Sequence, residues 1–183
     1  MKLNYYFILS WVIVLMGITS CSTQTKSPSQ SSTQRPEAPL QAVTLDPAKV
    51  VIGQTVYVPI YSHIYHYNSQ NDVVNLSATL SIRNTDLTNS IIITSVRYYD
   101  SNGQMIRQDI DRPGALKPLA STNFFVAADD TSGGSGASFI VEWVAEETVS
   151  EPVIEAVMIS TSSSQGISFI SSGKVLQQRG KSN

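Results

Sequence analysis

The chain has 183 residues, of which 42% are hydrophobic and 14% charged, with twelve basic and fourteen acidic side chains and a net charge of −2. After an N-terminal targeting segment and a polar stretch, that length leaves room for one domain of ordinary size. So weak a negative balance gives no reason to expect a surface of the kind that holds nucleic acid.

The N-terminus reads as three parts: Met1-Lys2 is positive, Tyr5 to Met16 is apolar apart from Ser10, and Gly17 to Ser20 are small or short residues before a cut. The apolar run is about a dozen residues, whereas a spanning helix needs about 20. Residues 1–20 are therefore expected to be a signal peptide. Ile18-Thr19-Ser20-Cys21 resembles the bacterial lipobox, an aliphatic residue and two small ones before cysteine. The resemblance implies a diacylglyceryl thioether on Cys21, cleavage before it and acylation of the new amine. A chance cysteine near an ordinary secretory cut is the alternative. At about 0.8 kcal/mol per buried methylene, two or more acyl chains anchor stably where one would be marginal. Cys21 is the single cysteine, so acylation also leaves no thiol for a disulfide, a nucleophile or a metal site.

Residues 21–42, starting at the acylated Cys21, are rich in Ser, Thr, Gln and Pro. Such a segment cannot bury enough surface to offset its ordering entropy, and it is expected to be a disordered tether. About 20 flexible residues reach roughly 25 Å on average and about 70 Å when stretched. The predicted domain covers 43–176, with a frayed tail at 177–183.

The domain pattern is β throughout. Val56 to Tyr67 reads as one strand with Tyr57, Pro59, Tyr61, His63, Tyr65 and Tyr67 on one face and an aliphatic set opposite, near a sheet edge because Pro59 lacks a ladder donor. Val74 to Arg83 alternates Val74, Leu76, Ala78, Leu80 and Ile82 with polar residues, a half-buried strand. Ile91 to Tyr99 and Gln104 to Asp109 flank Asn102-Gly103, a pair that accepts the positive φ of a tight hairpin. Further strands are expected at Ser121 to Ala127, Ser138 to Ala145, Val153 to Thr161 and Ile167 to Ser171, with a loop at Asp129 to Gly136. Seven or eight short strands without a helical stripe point to an all-β antiparallel sandwich, immunoglobulin-like in its leading form, with a small barrel as the other solution.

The segments Val56-Tyr57-Val58-Pro59-Ile60-Tyr61-Ser62-His63-Ile64-Tyr65, Leu119-Ala120-Ser121-Thr122, Asp129 to Ala137 and Gly166-Ile167-Ser168-Phe169 resemble a bacterial lipoprotein family, largely cyanobacterial, filed as a domain of unknown function. The resemblance covers Val51 to Leu176 and implies one domain of that extent. It carries over no catalytic or binding residue.

The candidate ligand-binding residues are Tyr57, Tyr61, His63, Tyr65 and Tyr67, an aromatic row suited to flat ligands such as sugars, pigments or Pro-rich peptides. Packing of these rings beneath loops is the competing reading. His63 and His66 are three apart and point to opposite faces of a strand, so one ion cannot use both. Asp129 and Asp130, in the DDTSGGSG loop, are weak calcium candidates without EF-hand spacing. No Gly-x-Ser-x-Gly or His-Glu-x-x-His motif occurs, and no cofactor is implied.

The expectation is a non-catalytic β-sandwich lipoprotein held by its lipid anchor on the periplasmic side of a bacterial envelope. Ser22, where some bacteria place an inner-membrane retention aspartate, leans the choice of membrane outward. Its partner would be a protein or small ligand. An assembly accessory of a membrane complex is the alternative, and an unrecognised hydrolase comes third.

Overall fold

The computed structural model describes residues 40–161 and 166–180. The signal segment, Cys21 and all but the end of the tether lie outside the described residues. In chain order the strands are β1 (Gln41–Ala42), β2 (Ile52–Pro59), β3 (His63–His66), β4 (Ser69–Asn75), β5 (Ser77–Arg83), β6 (Ile91–Tyr99), β7 (Met105–Gln108), β8 (Gly114–Leu116), β9 (Ser121–Val126), β10 (Ser138–Ala145), β11 (Val153–Ser160), β12 (Ile167–Ser172) and β13 (Lys174–Arg179), with a 3-10 turn at Gly134–Gly136.

The protein is an all-β, antiparallel sandwich. One sheet runs β1-β8-β6-β10-β2-β13 with β7 also on β6, the other runs β12-β11-β5-β9, and β3 and β4 form a separate hairpin. The immunoglobulin-like expectation stays at the level of two packed antiparallel sheets, because this strand order, with β2 between β10 and β13, is the molecule's own.

Alternation explains how the two sheets find each other. Along β10, Phe139, Val141, Trp143 and Ala145 are buried while Ile140, Glu142 and Val144 are half-exposed. The same rhythm buries Ala78, Leu80 and Ile82 of β5 and Ile154, Ala156 and Met158 of β11. These inward faces form one apolar cluster with Ile52, Val56 and Val58 of β2. Each fully buried side chain of this size contributes about 1.5–3 kcal/mol. The Asn102-Gly103 hairpin forms as expected: Gly103 takes φ = 76°, its N–H donates to the Asp100 carbonyl at 3.0 Å, and β6 pairs with β7.

Four differences from the sequence reading have physical causes. First, Val74 to Arg83 is two strands rather than one. The chain changes partners at Leu76, whose N–H donates to the Ser62 carbonyl at 2.9 Å. Before it β4 pairs with β3, and after it β5 pairs with β11 and β9. The inward-outward alternation continues across the junction, so composition alone cannot reveal it.

Second, the strand expected over Val56 to Tyr67 breaks after Pro59. Ile60 and Ser62 take backbone partners at Ala137 (2.9 Å) and Gly134 (3.1 Å) before β3 begins. β2 is also an interior strand, and Pro59 is tolerated as its last residue, beyond the reach of β13.

Third, the tail expected to fray at 177–183 includes Gln177, Gln178 and Arg179, which belong to β13. Every side chain of β13 is exposed, so no alternation marks it, and its ladder to β2 holds it. Fourth, the segment expected as tether through 42 ends in β1, which pairs with β8.

Candidate functional site

The hairpin β3–β4 positions most of the aromatic row. His63 faces Asn75, Ile64 faces Val74 and Tyr65 faces Val73 across the ladder. Side chains directly opposite share a face, so His63, Tyr65, Val73 and Asn75 lie on one side. Ile64 and Val74, on the other, pack against the core. The His63 and Tyr65 rings meet edge to face at 5.7 Å. Tyr65 is 53% exposed, and Tyr67, at the hairpin tip, is 87% exposed.

Tyr67 adopts φ = 53°, in the left-handed region. That conformation favours glycine and costs a side-chain-bearing residue about 1–2 kcal/mol. Its ring centre lies 4.2 Å from that of His66, with the planes tilted by 55°. An aromatic residue thus occupies a glycine position while remaining open to solvent.

The Asp129 to Gly136 loop reaches the same end of the sandwich. Ser62, immediately before the hairpin, gives both its N–H (3.1 Å) and its hydroxyl (2.9 Å) to the Gly134 carbonyl. Ser101 fastens the other side, its hydroxyl donating to the Gly133 carbonyl at 2.9 Å.

Within the loop the two carboxylates part. Asp130 accepts from the Ser132 N–H at 3.2 Å and pairs with Arg107 at 3.4 Å. Arg107 in turn binds Asp109 at 2.7 Å and the Phe125 carbonyl at 2.9 Å, with its guanidinium 5.1 Å from the Tyr98 ring centre. Burial pushes the Tyr98 phenol above its ordinary value, and Asp130 adds to the rise.

Asp129 turns away from that network. With Asn75, Ser77, Ile159, Ser160 and Thr161 it lines an open cleft of about 400 Å³, to which Asp130 contributes nothing. Its carboxylate has no hydrogen-bond or ionic partner among the described residues. The pair proposed for calcium is therefore split between a structural ion pair and a cleft wall. Among the described residues no group of three or more His, Cys, Asp and Glu side chains could hold a metal.

The remaining candidates fall elsewhere. Tyr57 is half-buried in β2, on the outer side of the larger sheet, opposite Ile140 and Lys174. Tyr61 lies in the link between β2 and β3, its ring edge-on to Phe169 of β12 at 5.7 Å. The structure thus keeps His63 and Tyr65 together, adds Tyr67 at the tip, and separates Tyr57. Sequence reasoning missed Asn75 and Ser77 on strand faces and Thr161 just after β11, because isolated polar residues carry no motif. A smaller cleft of about 230 Å³ on the larger sheet is lined by Gly53, Thr55, Glu142, Gln177 and Arg179, and its carboxylate is already bound by Arg97.

Comparison with known proteins adds a family and one distant likeness. The crystal structure of Thermotoga maritima 1070 is similar over 66% of this chain and 92% of that one, at 10% identity and a TM-score of 0.38. No curated protein matches. The family model described as "Protein of unknown function (DUF3124)" matches residues 53–176, from the second residue of β2 into β13. Over that span, which takes in both sheets, the hairpin and the Asp129 cleft, the chain belongs to the DUF3124 family.

Proposed function

We propose that this protein is a non-catalytic binding module, tethered to a bacterial envelope membrane through Cys21, whose ligand side is the end of the sandwich bearing the β3–β4 hairpin. The observation that carries the reading is a juxtaposition: the His63–Tyr65 face shares its strand pair with Asn75, and Asn75 and Asp129 line one cleft. The strain at Tyr67 supports it only together with that face, since Leu119, away from the cleft, carries the same strain at φ = 58°. Left-handed backbone at a bulky residue persists only when something offsets it, and such residues cluster at ligand clamps. An exposed ring gains little in stability from that position.

The runner-up is an assembly accessory of a membrane complex. It shares the exposed hairpin as its contact and differs in requiring a permanent protein partner. The Tyr67→Gly substitution tests the proposed reading. Glycine relieves the turn, so thermal stability should rise by about 0.5–1 kcal/mol, while the yield of crosslinked adducts formed by the protein in its native membranes should fall. A variant that loses stability, or keeps every adduct, would contradict the assignment of the hairpin tip.

A further inference from the structure

We propose that the outer face of the smaller sheet, entered through the Asn75–Asp129 cleft, binds a linear, uncharged glycan. The inference rests on the ligand side assigned above and adds the chemistry and course of the ligand.

The outward residues of β4 and β5 form one uninterrupted row, because alternation runs through the Leu76 junction: Val73, Asn75, Ser77 and Thr79. Tyr65 stands beside Val73, Ile159 beside Ser77, and Phe125 and Val157 beside Thr79, with Ile170 next to Val157. From Val73 to Thr79 the row extends about 20 Å at roughly 3.3 Å per residue. Its two ends are apolar and open, with Tyr65 at one and Phe125 (57% exposed) and Ile170 (63%) at the other. Its middle is the polar cleft.

Three features select the ligand. Among the described residues, those lining the cleft include no Lys or Arg and carry one carboxylate, one amide and three hydroxyls, of which that of Ser77 donates to the Ile159 carbonyl at 3.3 Å. An anion would meet Asp129 with nothing to balance it, whereas a sugar's paired hydroxyls can donate to that carboxylate.

Exposed rings and aliphatic side chains flanking a polar centre suit a chain of pyranose rings. Each ring has an apolar face to leave water and hydroxyls around its rim.

The third feature is the backbone beneath. β5 is paired on both sides, by β11 and β9, and β11 is paired by β5 and β12. A peptide bound by strand addition needs an open edge, and β5 and β11, which carry Ser77, Thr79, Val157 and Ile159, have none. Over these two strands the ligand must be read by side chains. Among the described residues, the one ion pair on this face, Arg83–Glu155 at 3.6 Å, lies beyond the row and is self-compensating.

Calorimetric titration of the full-length protein, in a detergent without sugar head groups, tests this with cellohexaose, chitohexaose and glucose. At least one hexasaccharide should bind, about tenfold or more tighter than glucose. Tyr65→Ala and Asp129→Asn should each weaken it by about tenfold. Tyr65→Phe, which keeps the ring, should retain binding, and so should Leu119→Ala, remote from the row. Absence of heat from both hexasaccharides up to about 10 mM, or binding indifferent to Tyr65→Ala and Asp129→Asn, would overturn the glycan. If heat is absent while the Tyr67-dependent adducts persist in membranes, the glycan falls and the ligand side stands. Loss of both removes both.

Discussion

Asp86 shows how a single carboxylate organises the end of the sandwich opposite the hairpin. It follows Asn84, whose buried amide donates to the carbonyls of Asn89 (2.8 Å), Leu116 and Lys117 (both 3.1 Å). The N–H of Asn89 donates to Asp86 at 2.8 Å, that of Thr88 at 2.9 Å and that of Ser150 at 3.0 Å. These donors favour the charged form, with the Asn89 N–H foremost, and hold the carboxyl at about 2 against an ordinary 3.8. A depressed folded-state value means the stabilisation is complete above about pH 4 and is lost as pH falls toward 2. Asp86→Asn should therefore lower the melting temperature at neutral pH, and the gap from the unsubstituted protein should close as the pH is lowered to 2. A gap independent of pH would contradict this. At this scale residue type alone singles out His63, Tyr65 and Tyr67 as ligand candidates and Asp129 with Asp130 as weak calcium candidates. It could not separate Asp129 from Asp130, because the partner that removes Asp130, Arg107, comes from a distant strand.

Elements were legible where side-chain alternation and strand extent coincide. Ser138–Ala145 was predicted to the residue, since all four inward positions are apolar and fully or almost fully buried. Boundaries set by a change of backbone partner were not, as at Leu76, because hydrogen-bond partners leave no mark on composition. β13 is the extreme case, a strand with no buried side chain that exists because β2 offers it a ladder. Its entry depends on Gly173, where the chain passes from one sheet to the other. The Gly173 N–H donates to the Ile154 carbonyl at 2.9 Å, and a Cβ there would lie 2.6 Å from Val56 Cγ1 and 2.7 Å from the Ile154 oxygen. Gly173→Ala should cost about 1–3 kcal/mol through displaced backbone and core. Hydrogen exchange should show protection lost first along β13 and the facing side of β2. An alanine variant with unchanged stability and protection would mean that the corner adjusts freely.

At the scale of the whole molecule, fold class followed from strand pattern and spacing, although thirteen strands stand among the described residues where seven or eight were expected. The strand order did not, because a sheet can be threaded in many ways by the same pattern. The proposed anchor would set where the proposed ligand side meets its partner. With acylation at Cys21, the segment between it and β1 keeps the domain within a few nanometres of one membrane. Cys21→Ser should abolish labelling by fatty acid and move the protein to the soluble fraction or leave it uncleaved. A variant that still labels and sediments with membranes would refute the anchor. The central claim is that contact is made at the hairpin end, and Leu119 provides a matched control for it. Leu119 is also exposed with φ = 58°, but it sits in the turn whose Ala120 carbonyl accepts from Asn84, at the far end of β5 from the hairpin. The most direct measurement places a photo-crosslinking side chain at Tyr67 or at Leu119 in the full-length protein and irradiates native membranes. The account predicts a discrete adduct from position 67, reduced by Tyr65→Ala, and none from position 119. Adducts from 119 alone, or of equal yield from both positions, would contradict it.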